Sequence, residues 1–206
     1  MIMKNKMLIL FICLFITVGN SFAQDFKMPV LSPLAKVEQQ FSTSTIKIEY
    51  SRPSKRGRTV FGDVVPYDKH WRTGANSNTK LTFGENVTFG GKIVPAGTYS
   101  LYTIPGVENW VVVLNKSTEN WGNAGYNADN DLLRIDVRPI QKKEITETFT
   151  IELSKMTPNS CVMELSWDQV LIPIKIEADN KERIFSYLEK ELNGEKLLTN
   201  KQLIII

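Results

Sequence analysis

From Thr45 onward the chain alternates apolar and polar residues with a period of two. In IKIEY, Ile46, Ile48 and Tyr50 fall on one side and Lys47 and Glu49 on the other. The same alternation, or a short apolar run, recurs in TKLTF (79–83), NVTF (86–89), TYSLYTI (98–104), WVVVL (110–114) and LLRIDV (132–137). It continues through ETFTIEL (147–153), CVMELSW (161–167) and VLIPIKI (170–176). Gly, Pro and Asn punctuate the intervals, as in Gly90-Gly91, Pro95-Ala96-Gly97 and Pro105-Gly106. Short strands at this spacing predict an all-β fold, an antiparallel, jelly-roll-like β-sandwich over residues 45–178. Trp167-Asp168-Gln169 reads as a tight connection between the last two strands.

The ends of the chain break the pattern. Residues 24–44 read as a leader with Pro29 and Pro33. After Ala178 the period changes to that of a helix. Asp179 or Asn180 supplies the cap, Ile184, Phe185, Leu188 and Leu192 share a face, and Asn193-Gly194 is the stop. The stripe is expected to pack on the sandwich, and the hydrophobic tail QLIII to pair with a sheet edge. Residues 179–206 are therefore read as a short C-terminal helix and tail.

At the start, Lys4 and Lys6 precede the apolar run Met7–Val18, and Ser21-Phe22-Ala23 places small residues before Gln24. This is the form of a secretory signal peptide, residues 1–23, cut between Ala23 and Gln24. The run is shorter than the ~20 residues a spanning helix needs, and no other stretch reaches that length, so no membrane-spanning segment is expected in the mature chain. Localisation is accordingly expected to be periplasmic or secreted. Of the 25 basic residues the cut removes two, leaving 23 against 22 acidic residues, a net charge of +1. Neither nucleic acid nor an anionic membrane is called for. Cys13 leaves with the signal, so Cys161 is alone and no intramolecular disulfide forms.

Catalytic and metal readings find little support. His70 is the only histidine, too few ligands for zinc, and no metal or other cofactor is expected. Asn127, Asp129 and Asp131 alternate like a calcium loop, but Leu132 and Arg138 stand where Gly and Glu belong, and an Asx-rich turn accounts for them. G-x-S-x-G is absent, and Cys161 begins an alternating strand as a small core residue. Loop acids such as Glu85, Glu108, Glu119 and Asp131 keep paired-carboxylate chemistry open.

What remains is a constellation suited to binding. Arg52 and Arg58 follow one strand; Trp71, Arg72 and Asn76 form a second group; Lys116, Trp121 and Tyr126 lie in NKSTENWGNAGY (115–126). Arginine forks, amides and flat aromatic faces are what a sandwich's loops use to hold a small polar ligand, a glycan or a peptide. The same residues serve equally to cap a core, and sequence does not separate the two uses. A hydrolase or lyase acting on cell-wall or polysaccharide material, and a structural envelope component, are the alternatives.

The run YSRPSKRGRTVFGDVVPYDKHWRTGAN, followed by KLTF, GGKIVPAGTYSLYTIPG, WVVVLNK, NWG and LLRIDV, resembles the secreted bacterial family called domain of unknown function 2911. The resemblance covers roughly residues 32–176. It implies an exported protein of a kind frequent in Bacteroidetes-like bacteria, without an established activity. Arg52, Arg58, Trp71, Arg72, Gly74, Asn76, Gly97, Tyr99 and Trp121 match the family pattern. His70 stands where that pattern has an apolar or small residue, which argues further against a catalytic histidine.

Overall fold

A computed structural model describes residues 28–181 and 183–192. The signal peptide expected over residues 1–23, the stop at Asn193-Gly194 and the tail QLIII lie outside the described residues. Among those described, no helix is long and apolar enough to cross a membrane.

Ten strands run in chain order: β1 (Leu34–Phe41), β2 (Ser44–Ser51), β3 (Ala75–Phe83), β4 (Val87–Phe89), β5 (Lys92–Val94), β6 (Gly97–Ile104), β7 (Trp110–Asn115), β8 (Asp131–Val137), β9 (Ile140–Ser154) and β10 (Ser160–Glu177). They form a six-stranded sheet, β1-β2-β3-β6-β7-β8, and a four-stranded sheet, β5-β4-β10-β9. Every strand pairing is antiparallel. The fold is thus the all-β sandwich that the alternation predicts. Helical residues at 181 and 183–192 follow β10.

The alternation explains which side of each strand is buried. Ile46, Ile48 and Tyr50 of β2 enter one core cluster with Leu81, Leu101 and Val112 of the same sheet and Phe89, Ile151, Leu165 and Ile172 of the other. Lys47 and Glu49 point away and meet β1 across the ladder. Lys36 lies opposite Glu49 and Glu38 opposite Lys47, with ion-pair distances of 2.6 and 2.9 Å. Such exposed cross-strand pairs fix register more than they stabilise. Tyr50 reaches across the core, donating to the Ile151 carbonyl at 3.2 Å and accepting from the Ile151 N–H at 2.8 Å.

Three expectations are corrected. The leader 24–44 contains a full strand, β1, which pairs with β2 from Leu34↔Ser51 to Phe41↔Ser44. Trp167-Asp168-Gln169 is no turn: β10 continues through it, the ladder to β9 shifting register on both sides of Asp168. Asp168 has φ +52°, so the local signature is that of a β-bulge. The helical stripe does not pack on the sandwich, since Phe185 is 60 % exposed and Ile184, Leu188 and Leu192 are exposed with it. What fastens this segment is polar: Asn180 donates to Ser42 Oγ at 2.9 Å, and Arg183 to Thr43 and Glu85.

Candidate functional site

The segment Trp71–Asn76 enters β3 through an unusual backbone. Trp71 and Thr103 exchange backbone hydrogen bonds of 2.8 and 2.9 Å, fixing the segment beside β6. Thr73, Gly74 and Asn76 then take φ of +54°, +155° and +58°, a sharp bend before the strand. Thr79 closes it, its hydroxyl donating to the Thr73 carbonyl at 2.6 Å. Trp71 is only 6 % exposed. Its indole N–H donates to the Gly74 carbonyl at 2.9 Å, and its ring packs on Phe149 and Trp167 with centroids 5.1 and 5.8 Å away. It is a core anchor with no face open to a ligand.

The loop 116–130 folds over the outer face of the six-stranded sheet. Its ends are held together: Lys116 N–H donates to the Asn130 carbonyl at 2.8 Å, and the buried Asn115 amide donates to the Asn127 carbonyl and the Asp131 carboxylate at 2.9 and 2.8 Å. Closed ends and internal packing make this an Ω-loop. The sheet meets it with buried polar side chains. Ser100 donates to the Ser117 carbonyl at 2.6 Å, Asn78 to the Thr118 carbonyl at 3.3 Å, and Tyr102 to the Gly122 carbonyl at 3.4 Å. These partners satisfy groups that would otherwise be costly to bury.

At the far end of the loop Tyr126 donates to Asp131 and accepts from Arg134, both at 2.8 Å. Arg134 Nε also donates to Asp131, at 2.8 Å. Burial first, and then the Asp131 carboxylate, push the Tyr126 phenol up to about 12. His70 stacks on this ring, and its main-chain carbonyl accepts from Asn123 at 2.8 Å. The Asx turn expected here is present: the Asn127 side chain accepts from Asp129 N–H at 3.0 Å and caps a 3₁₀ turn, Ala128–Asn130. The Asp131 carboxylate is taken up by Asn115, Tyr126 and Arg134.

Between this loop and strands β1 to β3 runs a cleft of about 230 Å³. Its walls include Glu49, Ser51, Asn78, Lys80, Glu119 and Asn120, and Trp121 stands at its rim. Trp121 is 70 % exposed, whereas Trp71, Trp110 and Trp167 are all buried. Lys80 spans the cleft to Glu119 at 3.1 Å. That contact and a bond from Thr118 hold the Glu119 carboxyl below its ordinary range.

Of the eight residues singled out in the sequence, five gather around the loop. Lys116, Trp121 and Tyr126 belong to it; a Cβ on Gly122 would lie 3.5 Å from the Asn76 carbonyl and 3.6 Å from Arg72 Cδ. Only Trp121 lines the cleft itself. Asn76 donates to the Ser32 carbonyl and Ser51 Oγ, each at 3.2 Å. Arg72 is half-buried, and its Nε has no partner. Lys116 is exposed at the foot of the loop.

The remaining two arginines serve elsewhere, and Trp71 is in the core. Arg52 donates to the Phe149 carbonyl and Thr150 Oγ1 at 3.0 and 2.7 Å, tying β2 to β9. Arg58 donates to the Lys55 and Ser54 carbonyls at 3.0 and 2.8 Å, closing its own turn. Among the described residues no group of three or more His, Cys, Asp or Glu is placed to hold a metal. Cys161 is buried, and that burial pushes its thiol up to about 11, away from nucleophilic use.

The sequence reading passed over Asn78 and Lys80. Their signal was present: they alternate with Thr79 and Leu81, so the period of two puts them on the face away from the core. Only the loop's position makes that face a cleft.

No curated protein and no solved structure matches the chain. One family model does, and it spans the sandwich from the bend before β1 to Ile176, one residue short of the end of β10. It is described as "Protein of unknown function (DUF2911)" and matches residues 32–176, so the chain belongs to that family.

Proposed function

We propose that this is an exported binding protein that holds a small polar ligand of saccharide type in the Trp121 cleft, without chemistry of its own. Export rests on the form of residues 1–23. The observation that carries the binding reading is Trp121, 70 % exposed over a polar cleft in a chain whose other tryptophans are all buried. An indole left in water is unfavourable for folding, and a flat aromatic face beside amide and ammonium groups is the usual platform for a sugar ring.

A hydrolytic reading draws on Glu49 and Glu119, which line the same cleft. Glycoside hydrolysis needs one of two carboxyls held protonated. Here Glu49 is ion-paired with Lys36 at 2.6 Å and Glu119 with Lys80 at 3.1 Å. The Glu119 carboxyl is shifted down rather than up, the opposite of what a proton donor needs.

The test is a thermal-shift screen of the mature protein against oligosaccharides and short peptides, run beside Trp121→Ala. A saccharide should raise the wild-type melting temperature and leave that of Trp121→Ala unmoved. Should no saccharide shift the wild type, or should Trp121→Ala respond equally, the reading fails.

A further inference from the structure

We infer that Arg72 is the anion-reading residue beside this cleft and that the saccharide held there carries a carboxylate. The inference rests on the proposed saccharide site and names the chemistry of its ligand.

Arginine donors in this protein are otherwise well supplied. Arg52, Arg56 and Arg58 donate to main-chain carbonyls, and Arg134 and Arg183 to the carboxylates of Asp131 and Glu85. Arg138 is exposed to water. Arg72 is different: it is half-buried, its Nε is fully shielded with no acceptor, and it enters no ion pair among the described residues. Burial lowers its pKa, which records that the charge is poorly solvated where it lies. A guanidinium in that condition gains more from an incoming anion than one already hydrated or paired.

Its position is also fixed. The main chain of Arg72 lies between the anchored Trp71 and the bond from Thr79 N–H to the Arg72 carbonyl, at 3.3 Å. The side chain passes under Gly122, where a Cβ would stand 3.7 Å from Nη1. Gly122 is the chain neighbour of Trp121, and Arg72 is not itself a wall of the cleft, so an acidic substituent of a ring held there would meet the guanidinium by reaching past Gly122. The cleft acids do not oppose an anion, because Lys36 and Lys80 already offset them. A planar fork of N–H donors matches a carboxylate with two parallel bonds, a geometry that a sugar hydroxyl cannot reproduce.

The experiment is isothermal titration with trisaccharides of galacturonic, glucuronic and mannuronic acid. Each is compared with its carboxyl-reduced, neutral counterpart, and a tripeptide with a free C-terminus is included. At least one acidic trisaccharide should bind the wild type about tenfold or more tightly than its neutral partner. Arg72→Gln should lose that preference, keep the neutral affinity, and melt no lower than wild type, because no protein bond is removed.

Equal binding of acidic and neutral forms, with Trp121→Ala abolishing both, overturns this inference and leaves the saccharide site standing. An acid preference that survives in Arg72→Gln also overturns it. Binding of the tripeptide alone, or of no probe, defeats the saccharide site as well.

Discussion

The imidazole of His70 lies against the phenol of Tyr126, with centroids 4.2 Å apart and planes tilted by 36°. His70 Nε2 is buried without a partner. Burial, and next the Arg134 charge, lower its pKa below 6.5, with Asp131 opposing. A base whose pKa is depressed by folding contributes stability that is complete above pH 6.5 and lost as pH falls through the folded value. Wild type should therefore lose melting temperature faster than His70→Phe between pH 7 and pH 5. Amide exchange in residues 116–130 should rise over the same interval in wild type alone. Parallel melting curves for the two proteins would remove His70 from the docking of the loop.

Tyr126 responds at the other end of the scale. Its phenol is pushed from 10 up to about 12 by burial and by Asp131. A raised folded value means the contribution is present below pH 10 and lost as pH rises through about 12. Tyrosinate absorbance should show one group ionising well after the solvent-facing tyrosines, and Tyr126→Phe should abolish that late step. A late step that persists in the variant would assign it to Tyr102 or Tyr99, whose phenols are also raised by burial.

Among the described residues, Glu85 is a buried carboxylate whose Oε1 has no partner and whose one ion pair is with Arg183. Removing one member of such a pair leaves a charge in a poorly solvating place, a loss of ~3–5 kcal/mol when both partners are buried. Because the Arg183 side chain is half exposed, Arg183→Ala is expected to lose about 2 kcal/mol. Adding Glu85→Gln should recover part of that loss in denaturant melts. If the double variant is as unstable as the sum of the singles, the two residues are not coupled.

The strands were legible where one face is core and the other water, as in β2 and β8, and also where short apolar runs are bounded by Gly, Pro and Asn, as in β6 and β7, which are buried on both faces. β1 escaped because its inward residues, Ala35 and Val37, are small or only half-buried at a sheet edge, so LAKVEQQF carries little contrast. β10 was divided in two because Asp168 resembles a turn residue, and only the ladder with β9 shows the strand continuing past it. The loop motifs were legible as motifs but not as positions. Trp71 and Trp121 have similar neighbours in sequence, yet one meets Phe149 and Trp167 from the opposite sheet and the other meets water. That difference is set by chain segments some eighty residues and more away, which local pattern does not register.

Gly74 shows how closely the bend is bound to the candidate site. A Cβ there would stand 2.9 Å from the Ser51 carbonyl oxygen and 3.1 Å from Thr79 Oγ1. Main chain cannot yield as a flexible side chain would, and φ +155° is itself unfavourable for any residue with a Cβ. The Gly74 carbonyl also accepts the Trp71 indole N–H, so moving Gly74, two residues after Arg72, also moves the core anchor immediately before it. Gly74→Ala should lose about 1–3 kcal/mol in stability, the range of backbone strain at one residue. Below its melting temperature it should still bind neutral saccharides, because of the cleft residues only Ser51 meets the new Cβ and Trp121 is not touched. Its preference for acidic saccharides should fall, because Arg72 no longer sits under Gly122. A variant that melts lower but keeps the full acid preference would show that Arg72 is positioned by the loop rather than by the bend.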